Sequence, residues 1–299
     1  TSTKIGHYEL NVPLVSSPMD TVSGEDMCIQ LARLGGIGVL HRFQSVEEQV
    51  GLCYDIEAEV REQYLAAVGV GVKGKNRFDS LMGYTNVKGV CIDVAHGDHN
   101  LVLDMIEYIK TEFEDIHVMA GNIVTKQAAE RLIKAGADSL RVGIGNGSMC
   151  ETRIRAGVGV PQATAINEIY QFVNNTLEES PCIIADGGCK TVGDIPKAIA
   201  LGADAVMVGS LFAGTKETPG SASIASKIAR GEESKNVEGT SKITPYKGKV
   251  IRIVNDIEDG LKSAMSYVGA ETIPHFMNKA TFCRVTQAGQ LEAKPHGLY

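Results

Sequence analysis

Eight short apolar runs punctuate roughly the first 210 residues, and each gives way to glycine or polar positions. They are "VPLVS" (12–16), "GIGVL" (36–40), "AAVGV" (66–70), "GVCIDV" (89–94), "IHVMAG" (116–121), "SLRVG" (139–143), "PCIIAD" (181–186) and "DAVMVG" (204–209). The runs are continuous rather than alternating, as expected of parallel strands buried on both faces. Between them lie stretches with helical spacing, such as "GEDMCIQLARL", "DHNLVLDMIEYIKTEF", "TKQAAERLIKAGA" and "VGDIPKAIALGA". The last two end in Gly-Ala, a helix stop ahead of the next strand. Eight strand–helix units at this density predict an α/β fold, a (β/α)8 TIM barrel, better than a doubly wound sheet.

After the eighth run the pattern breaks. Residues 213–248 are polar, bear Gly and Ser and lack strong periodicity. A loop this long beside the C-terminal strand ends reads as a mobile flap. A final helix, "DIEDGLKSAMSYVGA", and a tail, "FCRVTQAGQLEAKPHGLY", follow. The expected organisation is therefore one catalytic barrel over residues 1–299.

Composition narrows the function classes. The net charge of -7 argues against a sequence-independent grip on nucleic acid, which needs a basic face. No apolar stretch reaches the roughly 18 residues of a membrane span, and nothing at the start reads as a signal peptide. The seven cysteines form no C-x-x-C pair, so a disulfide framework or zinc site is not expected and a reducing cytoplasm is. Cys28, Cys91, Cys182 and Cys283 sit in apolar surroundings, where cysteine acts as a small hydrophobe.

The polar residues cluster where barrel enzymes carry their sites, at the C-terminal strand ends: "SPMD", "HRFQ", "GVKGK", "AHGD", "GN", "GIGNGSMC", "GG" and "GS". The seventh and eighth runs end in "ADGG" and "VGS", the loops that commonly bind phosphate in barrels. Gly187, Gly188, Gly209 and Ser210 fit that role, with Asp186 placed for ribose hydroxyls. In "GIGNGSMCETR", Gly143, Gly145 and Gly147 can take φ values closed to other residues, turning carbonyls toward a cation. Cys150 would then stand over the barrel mouth as a nucleophile toward an electrophilic ring carbon. Thr152 is placed to orient a water or a leaving group.

These motifs, with "SSPMDTVS", "DVAHG", "AGN", "VGSLFAGT", "GVGVPQ" and "PYKG", resemble the IMP dehydrogenase/GMP reductase family over nearly the whole chain. The resemblance implies a purine nucleoside monophosphate as substrate, a nicotinamide cofactor and a homotetramer. It implies that Cys150 attacks purine C2 with Thr152 beside it. It assigns Ser17, Met19, Ser148, Asp186, Gly188, Gly209, Ser210 and Glu238 to substrate, and Asp93 and Gly143 to the cofactor. It also implies a potassium ion on Gly145, Gly147 and Cys150, completed by Glu292 of a neighbouring subunit.

The branch is set by the flap. Dehydrogenases hydrolyse their covalent intermediate with an Arg-Tyr pair; here Arg230 is followed by Gly231, with no tyrosine before Tyr246. The regulatory insertion usual between strands two and three of dehydrogenases is also missing. "VMAGNIVT", "DGGC", "KNVEG" and "RVTQ" look like reductases, whereas "GVGVPQ", "GSLFAGT", "PYKG" and "EAKPH" look like dehydrogenases. On balance the expectation is a GMP reductase using NADPH, with IMP dehydrogenase using NAD as the alternative. The start at Thr1 and the junction Pro219-Gly220-Ser221, which lacks the family's Y-K-x-Y-x-G stretch, suggest segments of the natural protein missing from this sequence. Two other classes stay open: a phosphate-binding lyase or isomerase, which needs a strand-end lysine or glutamate, and a non-catalytic nucleotide sensor, which has no use for Cys150.

Overall fold

The computed structural model describes residues 1–177, 180–219, 224–226 and 241–293. The chain opens with an antiparallel hairpin, β1 (Thr3–Ile5) and β2 (Tyr8–Leu10), turning at Gly6 with φ 57°. Eight parallel strands follow: β3 (Leu14–Ser16), β4 (Gly38–Leu40), β5 (Tyr64–Val68), β6 (Gly89–Ile92), β7 (His117–Ile123), β8 (Ser139–Val142), β9 (Cys182–Asp186) and β10 (Ala205–Val208). They pair in the order β3-β10-β9-β8-β7-β6-β5-β4. A parallel bridge between Val15 and Ile37 joins the two ends, with Ser16 N–H donating to Ile37 O at 3.1 Å and Ile37 N–H to Leu14 O at 3.0 Å. The sheet is the expected (β/α)8 barrel.

The helices are α1 (Glu25–Arg33), α2 (Val46–Val60), α3 (Gly71–Tyr84), α4 (Asn100–Glu112), α5 (Lys126–Lys134), a single turn α6 (Thr152–Arg155), α7 (Gln162–Thr176) and α8 (Asp194–Ala200). Local signals explain their starts. Ser45 and Glu48 form a reciprocal capping box on α2, and Thr125 caps α5 through Ala128 N–H. Beyond the barrel come α9 (Val250–Tyr267), α10 (Ile273–Lys279) and α11 (Gln287–Glu292). The sequence pattern pointed to the second half of α9 and gave no sign of α10.

Two apolar layers explain why the strands read as unbroken hydrophobic runs. On β5, Leu65 and Ala67 face the barrel interior beside Val15, Val39, Cys91, Met119, Ile184 and Met207. Their neighbours Ala66 and Val68 face outward and pack with the helices. The interior cluster continues into the hairpin through Ile5, Tyr8 and Leu10. The Tyr8 hydroxyl donates to Tyr64 O, at the first residue of β5. The hairpin therefore plugs the N-terminal end of the barrel and leaves the C-terminal end open for chemistry.

Three expectations shift. The run at 66–70 is a strand at Tyr64–Val68, because the chain turns away at Gly69 and Gly71, the latter at φ 67°. Cys53 is buried with Cys28 and Cys91, while Cys182 is only partly buried and Cys283 is exposed. Within residues 213–248, β11 (Ile224–Ser226) pairs antiparallel with β12 (Ser241–Ile243). The stems of this segment are pinned together by Lys216 N–H to Gly248 O at 2.8 Å and Lys247 N–H to Gly214 O at 2.9 Å.

Candidate functional site

A cavity of about 410 Å³ opens at the C-terminal ends of the strands, within the range of small-molecule sites. Ser17, Met19, Asp93, Gly143, Gly145, Gly147, Ser148, Cys150, Thr152, Asp186, Gly188, Gly209 and Ser210 all line it. Glu238 lies outside the described residues. Glu292 ends α11, is exposed, and does not line the cavity of its own chain.

At the cavity wall Cys150 is a free, partly buried thiol, with its Sγ 3.0 Å from the Thr152 hydroxyl. The sequence offset of two becomes contact because α6 starts at Thr152 and turns its hydroxyl back. A second thiol, Cys189, also lines the cavity. Burial pushes its pKa up to about 12, so it stays protonated at neutral pH and is a poor nucleophile.

The glycines of the loop serve different ends. Gly143 takes φ 147°, and a Cβ there would lie 2.0 Å from Asp186 O. Only glycine lets β8 leave the barrel so close to the end of β9. Gly145, at φ 80°, makes room for the Arg153 stem: a Cβ there would lie 2.7 Å from Arg153 Cγ. Gly159 leaves the same side chain room from below, at 2.7 Å from that carbon, and the guanidinium donates to Val160 O. Gly147 does not use the left-handed region, contrary to the expectation for all three. Its carbonyl accepts the Cys150 N–H at 3.0 Å. A carbonyl oxygen keeps a second lone pair, so Gly145, Gly147 and Cys150 can still face a monovalent cation. Among the described residues no group of three or more His, Cys, Asp or Glu could hold a metal ion.

The ends of β9 and β10 form a backbone cradle in the same cavity. Gly187 and Gly188 take φ 86° and 85°, and a Cβ on Gly209 would fill the space against Met19 Sδ and Ser17 Cβ, both 3.4 Å away. Ser17 N–H is tied to Val208 O at 3.0 Å. Lys247, from the segment after β12, donates to Ser210 O and Leu211 O at 2.7 and 3.1 Å, and burial lowers its pKa.

The cavity floor holds residues that the sequence reading missed. Arg141, in the middle of β8, is 4% exposed. It donates to Asp186 Oδ2 at 2.9 Å and to Asp93 Oδ1 at 3.2 Å. Burial alone depresses the pKa of a guanidinium, but Cys91, Asp186 and Asp93 outweigh it and raise it. Burial pushes Cys91 itself up to about 11, so at neutral pH the compensating charge comes from the two carboxylates. Asn122 completes the network, donating from Nδ2 to Asp186 Oδ2 at 2.7 Å and to Gly143 O at 2.8 Å. It sits where the β7–β8 register slips between Gly121 and Ile123, a bulge that re-aims its side chain. Arg42 grips the Asp93 carbonyl at 3.0 Å and its carboxylate at 3.4 Å. An arginine inside "SLRV" was the available signal, since a charge in a strand buried on both faces needs partners.

The network leaves Asp186 Oδ1 for a ligand hydroxyl. It also leaves the buried Arg141 Nε without a hydrogen-bond partner. Arg42, Asp93, Asn122 and Asp186 all line the cavity, so its floor offers polar groups to a bound small molecule.

The comparisons with known proteins agree with this geometry. The family described as "IMP dehydrogenase / GMP reductase domain" matches residues 1–296. The inosine-5'-monophosphate dehydrogenase of Borreliella burgdorferi is 35% identical over 371 aligned positions, covering 98% of this chain and 90% of that protein. That of Methanocaldococcus jannaschii is 32% identical over 453 positions, covering 99% and 90%. That of Aquifex aeolicus is 42% identical over 257 positions, covering 78% of this chain and 52% of the relative. The alignments thus span nine-tenths of the first two relatives and about half of the third. The first two alignments run longer than the 299-residue chain, so those relatives carry interior segments that this one lacks. A family match over residues 1–296, on a barrel whose glycine loop and partly buried thiol line one cavity, makes this chain a member of the IMP dehydrogenase/GMP reductase family, whose enzymes are purine nucleotide oxidoreductases.

Proposed function

We propose that the chain is an IMP dehydrogenase, converting IMP, NAD and water to XMP and NADH. The observation that carries this reading is that relatives named inosine-5'-monophosphate dehydrogenase match 98% and 99% of the chain. This reverses the preference drawn from the flap residues. The interior segments that these relatives carry and this chain lacks stand on the reductase side of the comparison.

The chain's residues divide the work. Gly188, Gly209 and Ser210 take the nucleotide phosphate, Asp186 the ribose, and Ser17, Met19 and Ser148 its flanks, with Glu238 as a further contact. Cys150 sulfur bonds to purine C2, turning one difficult oxidation into two easier steps. Asp93, Gly143 and Arg141 face the cofactor. When bound, the nicotinamide supplies the two-electron acceptor for the hydrogen of C2. Thr152 then orients the water that displaces sulfur from C2, and the released proton leaves to solvent. The carbonyls of Gly145, Gly147 and Cys150, with Glu292 of a neighbouring copy, would hold a potassium ion that stiffens this loop. A homotetramer accords with α11, which buries none of its residues in its own chain.

The test supplies IMP with NAD and, separately, GMP with NADPH, and follows absorbance of the reduced cofactor. Cofactor reduction in the first and silence in the second is expected. The opposite pattern hands the function to the reductase branch, which the missing flap Arg-Tyr pair favours. Silence in both overturns the reading. Cys150→Ala should lower turnover about a thousandfold or more while nucleotide binding persists.

A further inference from the structure

The chemistry proposed above needs the Cys150 loop held at a fixed distance from the nucleotide loop at Asp186–Gly188, and side chains hold it there. Gln162, the first residue of α7, donates from Nε2 to Val142 O at 2.7 Å and to Asp186 O at 3.3 Å. Its amide thus reaches the ends of both β8 and β9. With both carbonyls claiming the NH2 end, the orientation of this amide is fixed and its oxygen must find a donor. Asn146 provides it, with Nδ2 donating to Gln162 Oε1.

Asn146 also fits the notch that a glycine leaves. A Cβ on Gly187 would lie 2.8 Å from Asn146 Oδ1 and 3.3 Å from Gly147 N. A Cβ on Gly143 would meet Gln162 Oε1 at 2.9 Å and Asn146 Nδ2 at 3.0 Å. The two loops therefore meet through this amide pair, and both glycines are spaced to admit it.

We propose that Asn146 and Gln162 act as one amide clamp that sets the position of Cys150 against the nucleotide loop. Asn146 is a positioning residue working through Gln162. The proposal rests on the oxidoreductase reading for its effect on turnover, but the geometry of the clamp stands apart from it.

The test uses the full chain with Asn146→Asp, Gln162→Glu and the double variant. Aspartate keeps the shape of asparagine but, ionised, cannot donate to Oε1. Glutamate keeps the acceptor and loses both donors. The first readout is the rate of Cys150 alkylation by iodoacetamide, followed by mass spectrometry of its peptide, which needs no turnover. Release of the clamp is expected to raise this rate about fivefold or more in either variant, and the double variant no further, as for residues acting as a unit. The second readout is kcat, expected to fall about 10- to 100-fold, with the dissociation constant for IMP within about threefold of wild type. Asn146→Ala, which adds no charge, gives the same readouts if aspartate unfolds the loop. Unchanged alkylation in the single variants, or a double variant equal to the product of the two, refutes the clamp whatever the activity. A loss confined to weakened IMP binding, with kcat unchanged, refutes it as well. If wild type turns over neither substrate pair, the functional reading falls while alkylation still decides the clamp.

Discussion

His117 begins β7, the strand that ends near the Asn122 bulge, and it offers a quantitative check on how the plug supports the site. The ring is 3% exposed. Its Nε2 lies 2.8 Å from Ser139 Oγ, and Tyr8 and His7 meet it edge-on. Burial lowers its pKa from 6.5 to about 4; Asp138 opposes that fall, while His7 and Lys110 assist it. The folded state therefore refuses a proton that the unfolded chain accepts below pH 6.5. Stability from this group is intact above pH 6.5 and is lost as pH falls from 6.5 toward 4. The gap of roughly 2.5 pH units corresponds to about 3 kcal/mol. Replacing His117 with Gln, which has no titration, removes the slope and leaves a pH-independent packing cost. Urea unfolding of wild type and His117→Gln at matched protein concentration, at pH 7 and at pH 4.5, should show the variant gaining about 2–3 kcal/mol relative to wild type on acidification. A difference between the two proteins that stays constant across that interval would refute the assignment of a buried neutral imidazole.

Two further outcomes test the cavity floor and the loop. Arg141→Met leaves the partly buried Asp93 and Asp186 without their shared cation, Asp93 keeping Arg42, and should cost about 2–3 kcal/mol, read as a drop in thermal midpoint together with loss of turnover. A variant melting within about 2 °C of wild type would show that the carboxylates do not depend on it. Gly143→Ala places a methyl 2.0 Å from Asp186 O at a φ of 147°, so the loop must move. Turnover should fall about 100-fold or more with far-UV circular dichroism unchanged, and wild-type kinetics would contradict the close approach of β8 and β9.

The sequence by itself determined the barrel and most of the cavity. All eight strands were legible because a parallel sheet buried on both faces leaves no polar alternation to interpret. Gly187, Gly209, Ser17 and Cys150 were legible because strand-end loops carry the special residues. Tertiary structure alone decided which of these act together. Arg141 stands 48 residues from Asp93 and 45 from Asp186, and Asn122 stands 64 from Asp186. Such pairings follow from barrel closure, which places sequence-distant strands side by side. The roles of Gly145 and Gly159 were likewise hidden, since what each must admit is an arginine stem several residues away. A chain pattern records which faces are apolar, whereas the contacts that satisfy a buried charge or fit a notch exist only once the strands have met.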